Sequence, residues 1–331
     1  MKIIYFAFKH RFRYKDLNNF LNTRFYGKYL VLNLGGPFKH FIAKFFLKFR
    51  LGFAISCDGR PLISDKQKGI NFFVRGTNLN IPIRFKNSSN NYVSINNPFD
   101  KEENLFQVYP ININKSLVKK KLKIIYVSGI NIETTEKENY LWKRNKEQIK
   151  ENFTILDDKR FWKKCLNEDD FQNKYIYYRK FKLLLRFEII NYIKKNFNNK
   201  FELIGDDWKK YFNNSISSNF NPKYIKDLYQ GNICLDLGSI EGSSSLYSRS
   251  NQIIEAGGLI VQSKQSDHFK VWGQLEKKVL FKNLNELKKL MNTILNDNLY
   301  SNQLLDEIYN NFSFSTKLIE KNLDMITKTG N

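Results

Sequence analysis

Short apolar runs, each closed by a glycine, a proline or a polar cluster, alternate along the chain with segments whose apolar residues recur at helical spacing. The runs predict strands at residues 1–8, 28–34, 52–56, 124–127, 201–204, 233–237, 259–262 and 279–281. Between them, helices are expected at 38–49, 175–197, from Pro222, at 247–256, after Asn283, at 302–311 and at 316–325. Pro222 suits a first helical turn, and Asn283 with Glu286 three residues on has the spacing of a capping box. Strands alternating with helices are the sequence form of a mostly parallel sheet covered on both faces, so the fold class is α/β with Rossmann-like units. Residues 86–97 read as loop with a short strand in it and 112–121 as a Lys-rich linker. That divides the chain into residues 1–115, a small and divergent first domain, and residues 122–331. Residues 133–170 read as helical insertions.

Two helical faces carry further expectations. In 175–197, Leu183, Leu184, Phe187 and Ile190 repeat at helical spacing and predict the buried stripe. In 38–49, Phe38, Phe41, Ile42, Phe45, Phe46 and Phe49 form one stripe, with Lys39, Lys44 and Lys48 opposite. Packing of this stripe against the first sheet is the expected use. An interfacial helix on an anionic membrane is the other reading.

Composition narrows the function classes. The chain has 55 Lys and Arg against 32 Asp and Glu, a formal net charge of +23. The excess is mostly Lys scattered among Asn and Ile, which suits a biased, solvated surface that also attracts anionic partners. No basic stripe or aromatic signature points to nucleic acid as a partner. The three Cys, at positions 57, 165 and 234, are far apart and match neither a disulfide framework nor a zinc site, so a reducing compartment is expected. The initial apolar run is too short for a secretory core, and no run reaches the roughly 18 residues needed to cross a bilayer. The expected location is therefore cytoplasmic, with peripheral contact at the inner face of the membrane.

The densest chemistry lies in GSIEGSSSLYSRSNQIIEAGG, residues 238–258. In an open parallel sheet ligands sit beyond the carboxyl ends of the strands, where loops lead into helix N-termini. Gly and Ser let backbone amides approach an oxygen-rich ligand, and a helix start presents N–H groups and a positive dipole end. Arg249 falls in the first turn, where the dipole disfavours a cation, so an anionic partner is expected. Arg249 and Gln252 share a face. The plainer alternative is a surface helix after a flexible Ser loop.

Arg249, Gln252 and Gly257-Gly258, followed by the strand Leu259-Ile260-Val261, resemble the arginine, glutamate and double glycine of the C-terminal half of two-lobed (GT-B) glycosyltransferases. The resemblance is greatest to the group-one-like proteins related to spore-coat maturation proteins. Residues 201–208 (FELIGDDW), 222–237 and 279–290 are similar to the family's flanking elements in the same order, so the resemblance spans about residues 124–327.

It implies a nucleotide-sugar substrate with no cofactor or metal, and sugar transfer to a glycan or lipid-linked acceptor, as in surface polysaccharide synthesis. The implied donor-binding set is Gly205, Trp208, Ser245, Tyr247, Arg249, Gln252, Glu255, Gly257 and Gly258, with Gly205, Asp206 and Trp208 near the base. Arg179 is a further phosphate candidate. Gln252 stands where the family has an acid for the ribose, which leaves Glu255 as another source. In the first domain His40 and Asp58 are the candidate catalytic bases, beside a Gly35-Gly36 loop, and His268 is a candidate on the donor side. A catalytically degenerate binding protein, a sugar-nucleotide epimerase and, third, a basic nucleic-acid-binding module are the rival readings.

Overall fold

A computed structural model describes residues 109–319 apart from 116–121, 214–221, 241 and 243. It also describes residue 321 and, earlier in the chain, 2–8, 29–33, 41–42, 45–46, 49, 53–57, 70–75 and 92–94. The chain forms two compact units, one of Met1–Ile111 with Phe314–Asn331 and one of Asn112–Ser313.

The first unit holds a sheet of five strands: β1 (Lys2–Phe8), β2 (Tyr29–Asn33), β3 (Phe53–Cys57), β4 (Ile70–Arg75) and β5 (Tyr92–Ser94). Their order is β2-β1-β3-β4-β5 and every pairing is parallel. β1 to β3 follow the predicted runs to within a residue or two. His40, Asp58 and the Gly35-Gly36 loop lie outside the described residues.

The described part of the 38–49 segment departs from the expected packing. Phe41, Ile42, Phe45 and Phe46 are helical and Phe49 lies in a turn, yet all five are exposed, Phe41 at 70% and Phe49 at 58%. This apolar stripe is not core. The strand-helix-strand context had suggested otherwise, but amphipathic spacing says only that a face is apolar, not what covers it.

The second unit repeats the sheet plan. Strands β6 (Ile124–Val127), β7 (Phe201–Ile204), β8 (Ile233–Asp236), β9 (Leu259–Ser263) and β10 (Leu280–Phe281) are all parallel, in the order β10-β9-β8-β6-β7. Every residue of β6, β8 and β9 is buried, as in a sheet covered on both faces.

The insertion of residues 133–170 is helical as expected. It forms α1 (Glu136–Glu151), a 3-10 turn Phe153–Asp157, α2 (Lys159–Cys165) and α3 (Glu168–Gln172). Thr135 caps α1 reciprocally with Glu138. The long α4 (Lys174–Phe197) follows, and then, between the strands, α5 (Pro222–Tyr229), α6 (Ser248–Glu255), α7 (His268–Trp272) and α8 (Glu276–Val279). Val279, expected in a strand, ends α8.

α9 (Leu284–Asn296) starts at Asn283, whose Oδ1 accepts from the Glu286 N–H at 2.9 Å, and α10 (Asn298–Phe312) completes the unit. Trp162, Trp208 and Trp272 are fully buried, and each indole N–H has a partner: Leu156 O, Ser128 O and Gln262 Oε1. Without those acceptors each would cost about 1–3 kcal/mol. Among the described residues no helix is long and apolar enough to cross a membrane.

The buried stripe of α4 differs from the expected one. It comprises Tyr178, Phe181, Lys182, Leu185, Arg186, Ile189, Ile190 and Ile193, while Leu183, Leu184 and Phe187 are half-buried. Two cations therefore occupy inward positions, which is stable only where polar partners meet them.

Candidate functional site

The strand order of the second unit reverses between β6 and β8, whose carboxyl ends are Val127 and Asp236. A reversal of this kind opens the crevice in which parallel α/β sheets bind ligands. Arg186 lies across it: Nη2 donates to Gly238 O at 2.6 Å and Nη1 reaches Ser128 Oγ at 3.5 Å, so one buried guanidinium ties the loop after β8 to the loop after β6.

Asp236, wholly buried at the end of β8, organises the loop that follows. Oδ1 accepts from Gly238 N–H at 3.1 Å and from the Tyr247 hydroxyl; Oδ2 accepts from Ser250 Oγ and Gln262 Nε2, both at 2.8 Å. Four donors fill a carboxylate's acceptor capacity. Gln262 on β9 also donates to Ser245 O at 2.7 Å and accepts from Trp272 at 2.9 Å. Asp267 holds the middle of the loop, accepting from Ser245 N–H at 2.6 Å and Ser244 Oγ at 3.2 Å. Burial pushes the Tyr247 hydroxyl well above its ordinary pKa, so it stays a neutral donor.

Arg249, in the first turn of α6, has neither a hydrogen bond nor an ion pair among the described residues. Its guanidinium stands 6.0 Å from the Tyr126 ring and 5.9 Å from the Tyr247 ring, and its Nη1 is buried without a partner. Burial opposes the charge, but Tyr247, Tyr126, Tyr229 and Asp236 outweigh it and hold the pKa above the ordinary arginine value. The group is thus a fixed cation. Four more buried polar atoms without partners lie on the elements around this crevice: Tyr126 Oη, Arg186 Nε, Ser245 Oγ and Gln265 Oε1. Such atoms are uncommon in folded proteins, and a cluster of them marks capacity for a ligand. The imbalance has a sign. The carboxylates of Asp236 and Asp267 are occupied, while guanidinium and hydroxyl donors remain, so the arrangement suits an oxyanion, with Gln265 Oε1 left to accept from a hydroxyl or N–H.

Beside the crevice is a buried group with a different character. Lys182 Nζ is 3.7 Å from Asp157 Oδ1, and the Tyr178 hydroxyl bridges Asp157 Oδ1 and Gly242 O, each at 3.1 Å. Burial raises the Asp157 carboxyl and lowers the Lys182 ammonium, with each partner opposing the other's shift. This pair anchors α4 to the turn after α1 and, through Tyr178, to the loop at Gly242.

The residues singled out from the sequence fall into three groups. Ser245, Tyr247 and Arg249 come together at the crevice. Gly205, Trp208, Gly257 and Gly258 shape the frame. Gly205 has φ 145° and a Cβ there would stand 2.2 Å from Ser128 O; Trp208 is fully buried against Tyr126. Gly257, at φ 77°, ends α6, and a Cβ on Gly258 would meet Cys234 Sγ at 2.8 Å. Gln252 is exposed and Glu255 and Arg179 are half-buried. His268 is held by Gln265 O at 2.7 Å and Glu276 at 3.1 Å. Sequence reasoning missed Arg186, Asp236, Gln262 and Gln265. A signal existed for Asp236 and Gln262, which are polar residues at or next to the end of strands that begin apolar.

Neither a protein-family model nor a curated protein matches the chain. Among solved structures it is similar to a glycosyltransferase from Rickettsia africae ESF-5, at 12% identity and a TM-score of 0.42, over 99% of this chain and 98% of that one.

Proposed function

We propose that the crevice between β6 and β8 binds the diphosphate of a nucleotide-sugar, and that the protein is a glycosyltransferase of the two-lobed kind. The sugar would pass to a glycan or lipid-linked acceptor, as in surface polysaccharide synthesis. The carrying observation is Arg249, a half-buried, permanently charged guanidinium whose buried Nη1 is an unused donor at the start of α6. Its stereochemistry suits phosphate oxygens, and the leading N–H groups of the helix add donors of the same sense.

In the transfer, the bond from the anomeric carbon to the diphosphate oxygen breaks and the diphosphate leaves with the electron pair. The acceptor oxygen bonds to that carbon and gives its proton to a base, for which His40 and Asp58 are the candidates. Arg249 and the helix N–H groups stabilise the departing charge, and proximity supplies much of the remainder. With that charge met by the protein, turnover is expected to persist in a chelator.

The exposed amide of Gln252, where the resembling family has an acid, favours a second reading: binding without transfer. Thermal stabilisation by a panel of nucleotide-sugars, followed by donor turnover with and without acceptors, separates the two. Stabilisation without turnover supports the second reading, conversion of donor alone supports an epimerase, and absence of any stabilisation refutes the proposal.

A further inference from the structure

The exposed stripe of the first unit is not absorbed by donor chemistry. Phe41, Ile42, Phe45, Phe46 and Phe49 stand at i, i+1, i+4, i+5 and i+8, and all are exposed to solvent. The rings already form a cluster: Phe45 lies 5.0 Å from Phe49 and 5.9 Å from Phe46, edge to face. Contiguous apolar surface of this kind on a protein marks a contact with something else.

The charge of the same stretch says what. Residues 1–57 contain eleven Lys and Arg and one acidic residue, Asp16, and no Asp or Glu occurs from Leu17 to Cys57. That is a net +10 in 57 residues, against +13 over the remaining 274. In the sequence Lys39, Lys44 and Lys48 are interleaved with these apolar residues. Cations close in sequence to an apolar stripe can meet anionic headgroups while the rings enter the acyl boundary. A segment of this length is too short to span a bilayer, which takes about 20 residues, so it would lie in the plane.

We propose that the exposed side chains of Phe41, Ile42, Phe45, Phe46 and Phe49 dock this protein on the surface of an anionic lipid bilayer. Nucleic acid would satisfy the cations but offers nothing to five exposed apolar side chains. The inference is independent of the nucleotide-sugar reading and is tested separately.

The experiment is sedimentation of the full chain with vesicles of phosphatidylcholine, with and without phosphatidylglycerol. Binding is expected only when phosphatidylglycerol is present, weakening as salt rises. Phe45→Ser with Phe49→Ser, and separately Lys44→Glu with Lys48→Glu, should each lower the partition coefficient about tenfold or more. Because the two Phe side chains are exposed, the serine variant should melt as the parent does and keep its response to nucleotide-sugars. Four results would overturn the proposal. They are absence of binding to anionic vesicles, equal binding to neutral ones, full binding by the serine variant, and a serine variant that melts several degrees lower, which would make the stripe part of the protein's own packing.

Discussion

Replacing Arg249 by Met separates a ligand-binding cation from a structural one, because the two roles predict opposite effects in the unliganded protein. Nη1 is buried without an acceptor, and an unmet buried donor costs about 1–3 kcal/mol. The ring contacts at Tyr126 and Tyr247 return about 0.5–1 kcal/mol each. Methionine keeps the apolar stem and removes the donor, so the unliganded variant should be unchanged or more stable by on the order of 1 kcal/mol, roughly 2–4 °C for a unit of this size. With ligand the sign reverses. A nucleotide-sugar at about 100 times its Kd stabilises the parent by about 2.7 kcal/mol, or roughly 5–10 °C. Losing one charge-assisted bond to phosphate, about 1.5–3 kcal/mol, weakens binding on the order of 10- to 150-fold. At a hundredfold the same ligand concentration yields about 0.4 kcal/mol, close to 1 °C. Differential scanning fluorimetry with and without ligand reads both quantities. A variant that melts several degrees lower without ligand and keeps the parent's ligand shift would refute the reasoning.

Other expectations follow from the same geometry. Arg186→Met should lower the melting temperature of the second unit by about 3–10 °C, since it removes a charged bond of about 1.5–3 kcal/mol to the buried Gly238 carbonyl. Gly205→Ala should leave little folded protein on expression, because φ 145° is strained for alanine and its Cβ would stand 2.2 Å from Ser128 O. Gly258→Ala, which overpacks against Cys234 and Tyr229, should cost about 1–3 kcal/mol in a denaturant titration. Burial pushes the Cys165 thiol up from 9.0 to about 11, so alkylation at pH 8, read by peptide mass, should be on the order of 100-fold slower in the folded than in the unfolded chain. A folded pKa above the unfolded one stabilises the fold at pH below 9, and that contribution is lost as pH rises through about 11.

The frame was legible because parallel strands buried on both faces must be apolar, and IIYV, ICLD and LIVQS each show it. Caps were legible for a similar reason: Asn283 with Glu286 is local chemistry within one turn. Arg249 could be found because it opposes a helix dipole, again a local fact. Arg186 could not, since what makes it tolerable inside α4 lies 52 residues away at Gly238 and 58 away at Ser128. Periodicity treats such a cation as a mark of the solvent face, and the predicted stripe of α4 shifted toward Leu183 and Leu184 accordingly. The stripe at Phe41–Phe49 failed in the opposite direction, where a correct apolar face was assigned to the core although it is exposed. Both misreadings have one cause. Spacing identifies which residues share a face, whereas burial depends on partners distant in sequence. Polar residues on an inward stripe, such as Lys182 and Arg186, and apolar residues on an outward one, such as Phe45 and Phe49, are therefore the positions that spacing alone misassigns.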